Sequence, residues 1–299
     1  MDLTTLRQFL VVARLEHLSR AAGELRIAQP SLSRTIARLE AELGSPLFDR
    51  VGRLRLNDAG RVFRVHVERA LGELDAGRRA VAESAGEGHG VVRLASETFL
   101  ALTGPLAAFK RAHPQVEIEL HQMAVEEMAR RLRAQEVDLC VASQPVPADD
   151  LHLETLPLLE EPVVLAVPLD HRLAGRASVG IDELADEPFI ATHQGHWQRR
   201  LLDRLFAGRG LVPRIVCEGD EPGAIQELIG AGLGIGLNPA FARRHLAVRV
   251  PVTWVDIDSP DCRRTVTLVR PAAGHLSAGA RMMRDAIAGW DWDGGAPAA

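Results

Sequence analysis

Ser19-Arg20-Ala21-Ala22-Gly23-Glu24-Leu25, a turn at Arg26-Ile27-Ala28-Gln29 and the run from Pro30 to Gly44 decide the fold of this chain. The Ser19 hydroxyl is positioned to cap a short helix, and Ala21 and Ala22 are small enough for another helix to pack closely on it. Pro30 opens a second helix at the first-turn position it tolerates best. Leu32, Ile36, Leu39 and Leu43 then share one face, and Gly44 stops the run. At about 100° per residue, the opposite face carries Pro30, Ser33, Arg34, Ala37, Arg38 and Ala41, which mixes hydrogen-bond donors with small side chains. A face of that kind lets a helix axis sit deep in a duplex major groove about 12 Å wide. After Gly44, residues 46–56 read as two short extended runs about a glycine, with Arg50, Arg53 and Arg55 along them. The pattern predicts a winged helix-turn-helix over residues 1–58. Its candidate DNA contacts are Ser19, Arg20, Gln29, Pro30, Ser31, Ser33, Arg34 and Arg38, with Arg50, Arg53 and Arg55 on the wing.

Leu6, Phe9, Ala21-Ala22, Leu25, Gln29-Pro30, Ser33, Leu39-Glu40, Leu43-Gly44, Leu47-Phe48 and Arg50 stand at the fixed offsets of a known pattern. With them the chain strongly resembles the LysR-type transcriptional regulators. Two positions depart from that pattern. The usual Gly-Ser before the second helix is His17-Leu18-Ser19, and the usual Thr after the wing is Asn57, an equally good cap for the helix that starts near Asp58. The resemblance implies a bacterial regulator that binds double-stranded promoter DNA as a homodimer or homotetramer. It also implies a small-molecule effector and contact with RNA polymerase, with no enzymatic activity and no cofactor.

The chain has 299 residues, 46% of them hydrophobic, enough for two or three domains with a buried core. No apolar run approaches the 18 or so residues of a membrane span, and the first residues do not form a secretory signal, so the expected location is the cytoplasm. Three scattered cysteines, Cys140, Cys217 and Cys262, fit a reducing compartment. Residues 1–64 carry eleven Arg against seven acids, whereas the whole chain has a formal charge of −5, so the basic end alone is suited to phosphates.

Phe63, Val67, Ala70, Leu74, Gly77 and Val81 repeat at four, three, four, three and four, a heptad seam that predicts a dimerising linker helix over residues 59–87. Its dimer contacts are expected at Phe63, Val67, Ala70, Leu74 and Val81, with the alternative that the stripe packs on its own domain. Residues 84–90 read as a Gly-rich hinge. Beyond them strands and helices alternate. Strands are predicted at 91–95, 116–120, 137–142, 188–191, 215–218 and 233–237, and helices near 99–113, 125–135, 196–208, 222–231 and 278–290. Runs at 163–168 and 265–270 are positioned to cross between two lobes. The expected class is therefore α/β overall: winged helix-turn-helix, long linker helix and a two-lobed α/β effector domain. That last domain resembles the type 2 periplasmic binding proteins, with lobe I from 91–162 and 268–292, lobe II from 163–267 and a disordered tail at 293–299.

In such folds ligands bind beyond the carboxyl ends of the strands, where helix N-termini offer free N–H groups. That rule selects Ser96-Glu97-Thr98, Ser143-Gln144, Thr192-His193-Gln194-Gly195 and Asn238. The resemblance assigns effector contact to Ser96, Thr98, Thr192 and Gln194, and the candidate set is Ser96, Glu97, Thr98, Ser143, Thr192, His193, Gln194 and Asn238. Each of these can instead cap its own helix. Glu97 is the odd member. Pointing outward it is a first-turn acid; pointing inward it competes with an anion for the same N–H groups, which favours a neutral or cationic effector or an anion held by the other lobe.

Other chemistries fit less well. His193-x-x-His196 lacks a third ligand at a familiar spacing, so no metal is expected. Gly232–Gly236 runs into Leu-Asn-Pro instead of opening a phosphate-binding helix and reads as tight strand packing. No nucleophile triad or carboxylate pair emerges. The alternatives to an effector-controlled regulator are a ligand-independent DNA-binding regulator, or a ligand-binding or catalytic α/β protein with a scaffolding N-terminal domain.

Overall fold

Helix α1 (Leu3–Leu15) begins where the Asp2 carboxylate accepts the Thr5 N–H at 2.8 Å. The computed structural model describes residues 1–49, 53–84, 90–148, 151–245, 249–272, 276–292 and 296–297. They divide into one unit of Met1–Glu87 with Arg131–Glu136 and a second of Gly88–Arg130 with Val137–Ala299. The proposed hinge residues 85–89 and Arg50 lie outside the described residues.

In the first unit, α2 (Leu18–Leu25) and α3 (Gln29–Leu43) follow α1. The cap of α2 is His17, whose Nδ1 accepts the Arg20 N–H at 3.3 Å. Ser19, expected as the cap, lies within the first turn instead, because the chain leaves the extended conformation at residue 17 (φ −156°, ψ 104°). Pro30 is in the first turn of α3, and Gly44 ends that helix in the left-handed region at φ 68°, which glycine adopts without strain. Leu32, Ile36 and Leu39 are buried, while Leu43 in the last turn is exposed. The core they enter is built around Phe9, whose ring meets Phe48 edge-on at 5.8 Å and Phe63 at 5.1 Å.

The wing is the antiparallel pair β1 (Phe48–Asp49) and β2 (Arg55–Leu56). Acids on the helices fasten it: Glu40 accepts the Leu47 and Phe48 N–H groups at 2.8 and 3.3 Å, and Glu16 accepts that of Leu56 at 2.9 Å. Asn57 caps α4 (Asp58–Ser84) by accepting the Gly60 N–H at 2.8 Å, while its own amide donates to Pro46 O.

The seam expected along α4 splits in two. Val67 is buried and Phe63 half-buried, both in the core of their own unit beside Leu71, so they are not free to pair with a second chain. Ala70 is exposed, Leu74 is 48% exposed and Val81 71%. A heptad repeat tells which residues share a face but not which neighbour covers it, and here the winged domain covers the N-terminal part.

The second unit is built on one sheet of eight strands. β3 (Val91–Ser96), β4 (Glu117–Gln122) and β5 (Leu139–Ala142) pair in parallel, with β3 in the middle. β6 (Leu153–Pro168) is a single strand of 16 residues, although only its second half was expected to be extended. Its first half pairs with β12 (Arg263–Pro271), which continues to β5. Its second half pairs with β10 (Gly236–Pro239) and β11 (Val252–Ile257), and β11 adds the short β7 (Ser178–Val179). β6 thus runs from lobe I into lobe II, and it changes partners at Pro162–Val163.

In lobe I, α5 (Thr103–Ala112) and α10 (Ala278–Ala288) cover the sheet with Phe109, Ala280, Met283 and Ile287; α6 (Val125–Arg133) follows β4. In lobe II, β8 (Pro188–Ala191) and β9 (Arg214–Glu218) pair in parallel. α7 (Trp197–Ala207) and α8 (Pro222–Gly230) pack on opposite parts of that lobe, Phe206 against Phe189 at 5.4 Å and Ile229 with Ile190. A Cβ on Gly234 would lie 2.5 Å from Pro188 O, so the Gly-rich run serves close strand approach. Strand β10 starts at Gly236, followed by the one-turn α9 (Ala242–His245). β13 (Trp290–Asp291) pairs with β14 (Ala296–Pro297), within the stretch expected to be a disordered tail.

Replacing Val67 with Ala should lower the unfolding free energy of the full chain by on the order of 2 kcal/mol, because it opens a hole in a packed core. Val62→Ala, at a position 61% exposed, should stay within about 0.5 kcal/mol of wild type. Urea unfolding measures both, and equal losses would contradict the assignment of the buried face.

Candidate nucleic-acid interface and interlobe site

The arginines of the first unit fall into two groups. Arg7, Arg14 and Arg61 pair with Asp75, Glu24 and Asp58. Arg20, Arg34, Arg38, Arg53 and Arg55 are exposed and have no carboxylate partner among the described residues. Gln29, Pro30 and Ser31 are exposed at the start of α3, Ser33 is half-buried, and Ser19 is exposed beside Arg20. One cation of the same kind escaped the sequence reading: Arg26, in the turn between α2 and α3, is exposed at φ 54° and also unpaired among the described residues. Its signal was present in the sequence, a long cation at the first position of the predicted turn Arg26-Ile27-Ala28-Gln29.

Between the lobes the decisive group is Glu97. It follows β3 at the carboxyl end of the sheet, and its side chain points inward and is 3% exposed. Oε2 accepts the Ser143 N–H at 3.0 Å. Oε1 accepts the Gln144 side-chain amide at 2.5 Å and the Trp197 N–H, the first amide of α7, at 3.2 Å. The same Gln144 amide nitrogen lies 2.9 Å from Gly195 O. One lobe I carboxylate therefore gathers donors from lobe I and from a lobe II helix N-terminus. Burial raises the Glu97 pKa above the ordinary carboxylate range, against the opposing effect of these N–H groups and of Arg264.

Arg264 supplies the positive charge nearby. It is buried, bonds Glu161 Oε1 at 2.6 and 2.7 Å, and its guanidinium lies 4.7 Å from the Trp197 ring centroid. Glu161 in turn accepts the Phe241 N–H at 2.6 Å. His196 caps α7 by accepting the Gln198 N–H at 3.4 Å, which requires an unprotonated Nδ1; burial lowers its pKa in the same sense. Trp197, Arg264 and Glu161 were missed in the sequence, since nothing local links Glu161 to a residue 103 positions away, and His196 was weighed there only as a metal ligand with His193.

The other expected effector residues separate. Ser96 Oγ lies 2.7 Å from Thr98 O and 2.9 Å from Val141 O and gives its one proton to this backbone, so its hydroxyl holds the loop and is not free for a ligand. Thr98 Oγ1 accepts the Leu100 N–H at 3.3 Å. Glu97, His193 and Gln194 border a 640 Å³ cavity with Gln122, His196 and Asp220, and His193 pairs with Asp220 at 2.9 Å. Glu97, Thr98 and Asn238 border a separate void of only 20 Å³ with Trp197. Ser143 instead faces a 720 Å³ cavity with Arg204, Arg263 and Arg264. Thr192 is buried, with its hydroxyl unpartnered among the described residues. Cys140 and Cys262 are buried; burial pushes the Cys262 thiol up to about 12 and Cys140 further, which removes the thiolate that reactivity needs.

Comparison with known proteins agrees with both units. Residues 3–61 match the family of bacterial regulatory helix-turn-helix proteins of the LysR type, and residues 85–291 match the LysR substrate binding domain. The chain belongs to the LysR family, DNA-binding transcriptional regulators that join a helix-turn-helix to an effector domain. It is 32% identical over 284 residues to the transcriptional dual regulator GltC of Bacillus subtilis (strain 168), covering 94% of each chain. Full-length OxyR of Pseudomonas aeruginosa shares the fold at a TM-score of 0.65 and 23% identity, over 96% of this chain and 94% of that one. The CcmR regulatory domain of Synechocystis PCC6803, solved in complex with 2-PG, aligns at a TM-score of 0.60 and 27% identity, over 67% of this chain and 96% of that one.

A carboxyl whose pKa is raised on folding favours the folded state below its unfolded-state value, and that contribution is lost as the pH rises through the folded-state value. From about pH 4 to pH 7, wild type should therefore lose stability relative to Glu97→Gln as the pH rises. Urea midpoints measured across that range test this; parallel curves for the two proteins would contradict it.

Proposed function

We propose that α3 lies in the major groove, with Gln29, Ser33 and Arg34 at base edges, Pro30 and Ser31 allowing close approach, and Ser19, Arg20, Arg38, Arg53 and Arg55 on phosphates. Arg50, assigned to the same wing from the sequence, joins the phosphate set. The observation that carries this reading is the charge of that surface: Arg20, Arg34, Arg38, Arg53 and Arg55 are exposed with no carboxylate partner among the described residues and are left for an external anion, whereas Arg7, Arg14 and Arg61 are paired with acids. Two copies pair along the exposed part of α4 through Ala70, Leu74 and Val81, as a homodimer or a pair of dimers. At about 1.5 Å per residue this helix spans roughly 40 Å, enough to hold two reading heads at successive grooves.

A small-molecule effector enters the 640 Å³ cavity beside His193 and Gln194 and shifts the balance between lobe arrangements. The shift alters the bend of promoter DNA and the regulator's contact with RNA polymerase. The chain acts in the cytoplasm, without a cofactor and without catalysis. Among the described residues no helix is long and apolar enough to cross a membrane. The size of the cavity favours an effector-controlled regulator over a ligand-independent one.

Footprinting on the DNA upstream of the chain's own gene supplies the operator. On it, Arg34→Ala should weaken specific binding by about 1–3 kcal/mol and relax base preference, whereas Arg53→Ala should weaken binding to all sequences and reduce the salt slope by about 1. An equal loss from Arg34→Ala on every duplex would contradict base reading.

Leu74→Asp should shift the protein toward monomer in sedimentation while leaving the fold intact. A Leu74→Asp protein that remains fully dimeric would reject the α4 seam.

A further inference from the structure

We propose that Glu97 is a tethered ligand: its carboxylate is the chain's own occupant of an anion seat between the lobes, so the effector of the adjoining cavity carries no free carboxylate. The inference rests on the reading of that cavity as the effector site and specifies the ligand class it admits.

The seat has the features of a carboxylate site. It offers the Ser143 N–H, the Gln144 amide and the Trp197 N–H at the N-terminus of the 11-residue helix α7, with the Arg264 guanidinium behind the Trp197 ring. Glu97 engages all three donors from within, and it does so across the two lobes. The void beside it measures 20 Å³, room for about one water and not for an added carboxylate. Trp197 and Asn238 line that void, and each is at least 95% buried with a donor, Nε1 or Nδ2, unpartnered among the described residues. These donors suit an oxygen acceptor at the void, and its size limits that acceptor to a water or a single ligand oxygen. The 640 Å³ cavity adds Asp220 and Glu221 to its wall, a lining that disfavours a second anion.

Glu97→Ala deletes Cγ, Cδ and both carboxylate oxygens, the two carbons and two oxygens of acetate. The full-length variant should therefore bind free acetate in the vacated seat. At acetate ten times its dissociation constant, the unfolding temperature of Glu97→Ala should rise by roughly 3–5 °C, with no such rise in wild type and none with methylammonium. Calorimetric titration with acetate should give the same contrast. If Glu97→Ala folds only poorly, refolding yield replaces the thermal measurement, and rescue by acetate but not by chloride is the expected result. Acetate binding to wild type as tightly as to the variant would overturn the proposal, and so would a folded Glu97→Ala indifferent to acetate or a refolding yield unchanged by it. Gel-shift of the wild type on its own upstream DNA separates the two readings. Loss of that binding would defeat the regulatory role, while the acetate result depends only on the seat.

Discussion

A carboxylate taken out of water must find its hydrogen bonds inside the protein, and Glu97 finds them on three separate segments. The Ser143 amide, the Gln144 side chain and the first amide of α7 converge on one carboxyl group, and together with the Arg264 charge they oppose, without cancelling, the penalty that burial puts on its ionised form. Arg264 is itself buried and depends on Glu161, which accepts the Phe241 N–H. The chain of interactions crosses from lobe I to lobe II and sits where β6 changes partners. Removing Glu161 would leave the Arg264 charge buried without its carboxylate, whereas removing Glu97 frees three donors and leaves the Arg264–Glu161 pair in place.

The first unit obeys a simpler constraint. Three apolar positions on α3 and the Phe9, Phe48 and Phe63 rings fix the helices, while Glu40 and Glu16 fasten the wing by accepting backbone N–H groups. Glu16 and Glu40 are committed to that scaffold. What remains on the surface is a set of uncompensated arginines around small, donor-bearing residues, and the charge of the unit then follows its function.

Much of this was legible in the sequence where the determinants are local. Pro30, Gly44 and the spacing of Leu32, Ile36 and Leu39 need only their neighbours to be read, and they gave α3 to within one residue at its start. His17 was not legible as a cap because imidazole is an uncommon one, and the hydroxyl of Ser19 offered a stronger local signal. The α4 stripe was read correctly as apolar, yet periodicity does not reveal that Phe63 and Val67 turn toward Phe9's core while Leu74 and Val81 do not. The first half of β6 escaped notice because Pro157, Pro162 and the acids Glu154, Glu160 and Glu161 mask an edge-like strand. The loops beyond the strand ends were found by a topological rule, but the partners of Glu97 lie 46, 47 and 100 residues away, beyond any local pattern.

The Glu97 carboxylate holds the Ser143 and Trp197 amides inside the protein. Amide hydrogen exchange resolved at those two residues, in wild type and in Glu97→Ala, tests it most directly. Both amides should be strongly protected in wild type and exchange markedly faster in the variant, with exchange in α5 unchanged. Equal exchange at Ser143 and Trp197 in the two proteins would contradict it.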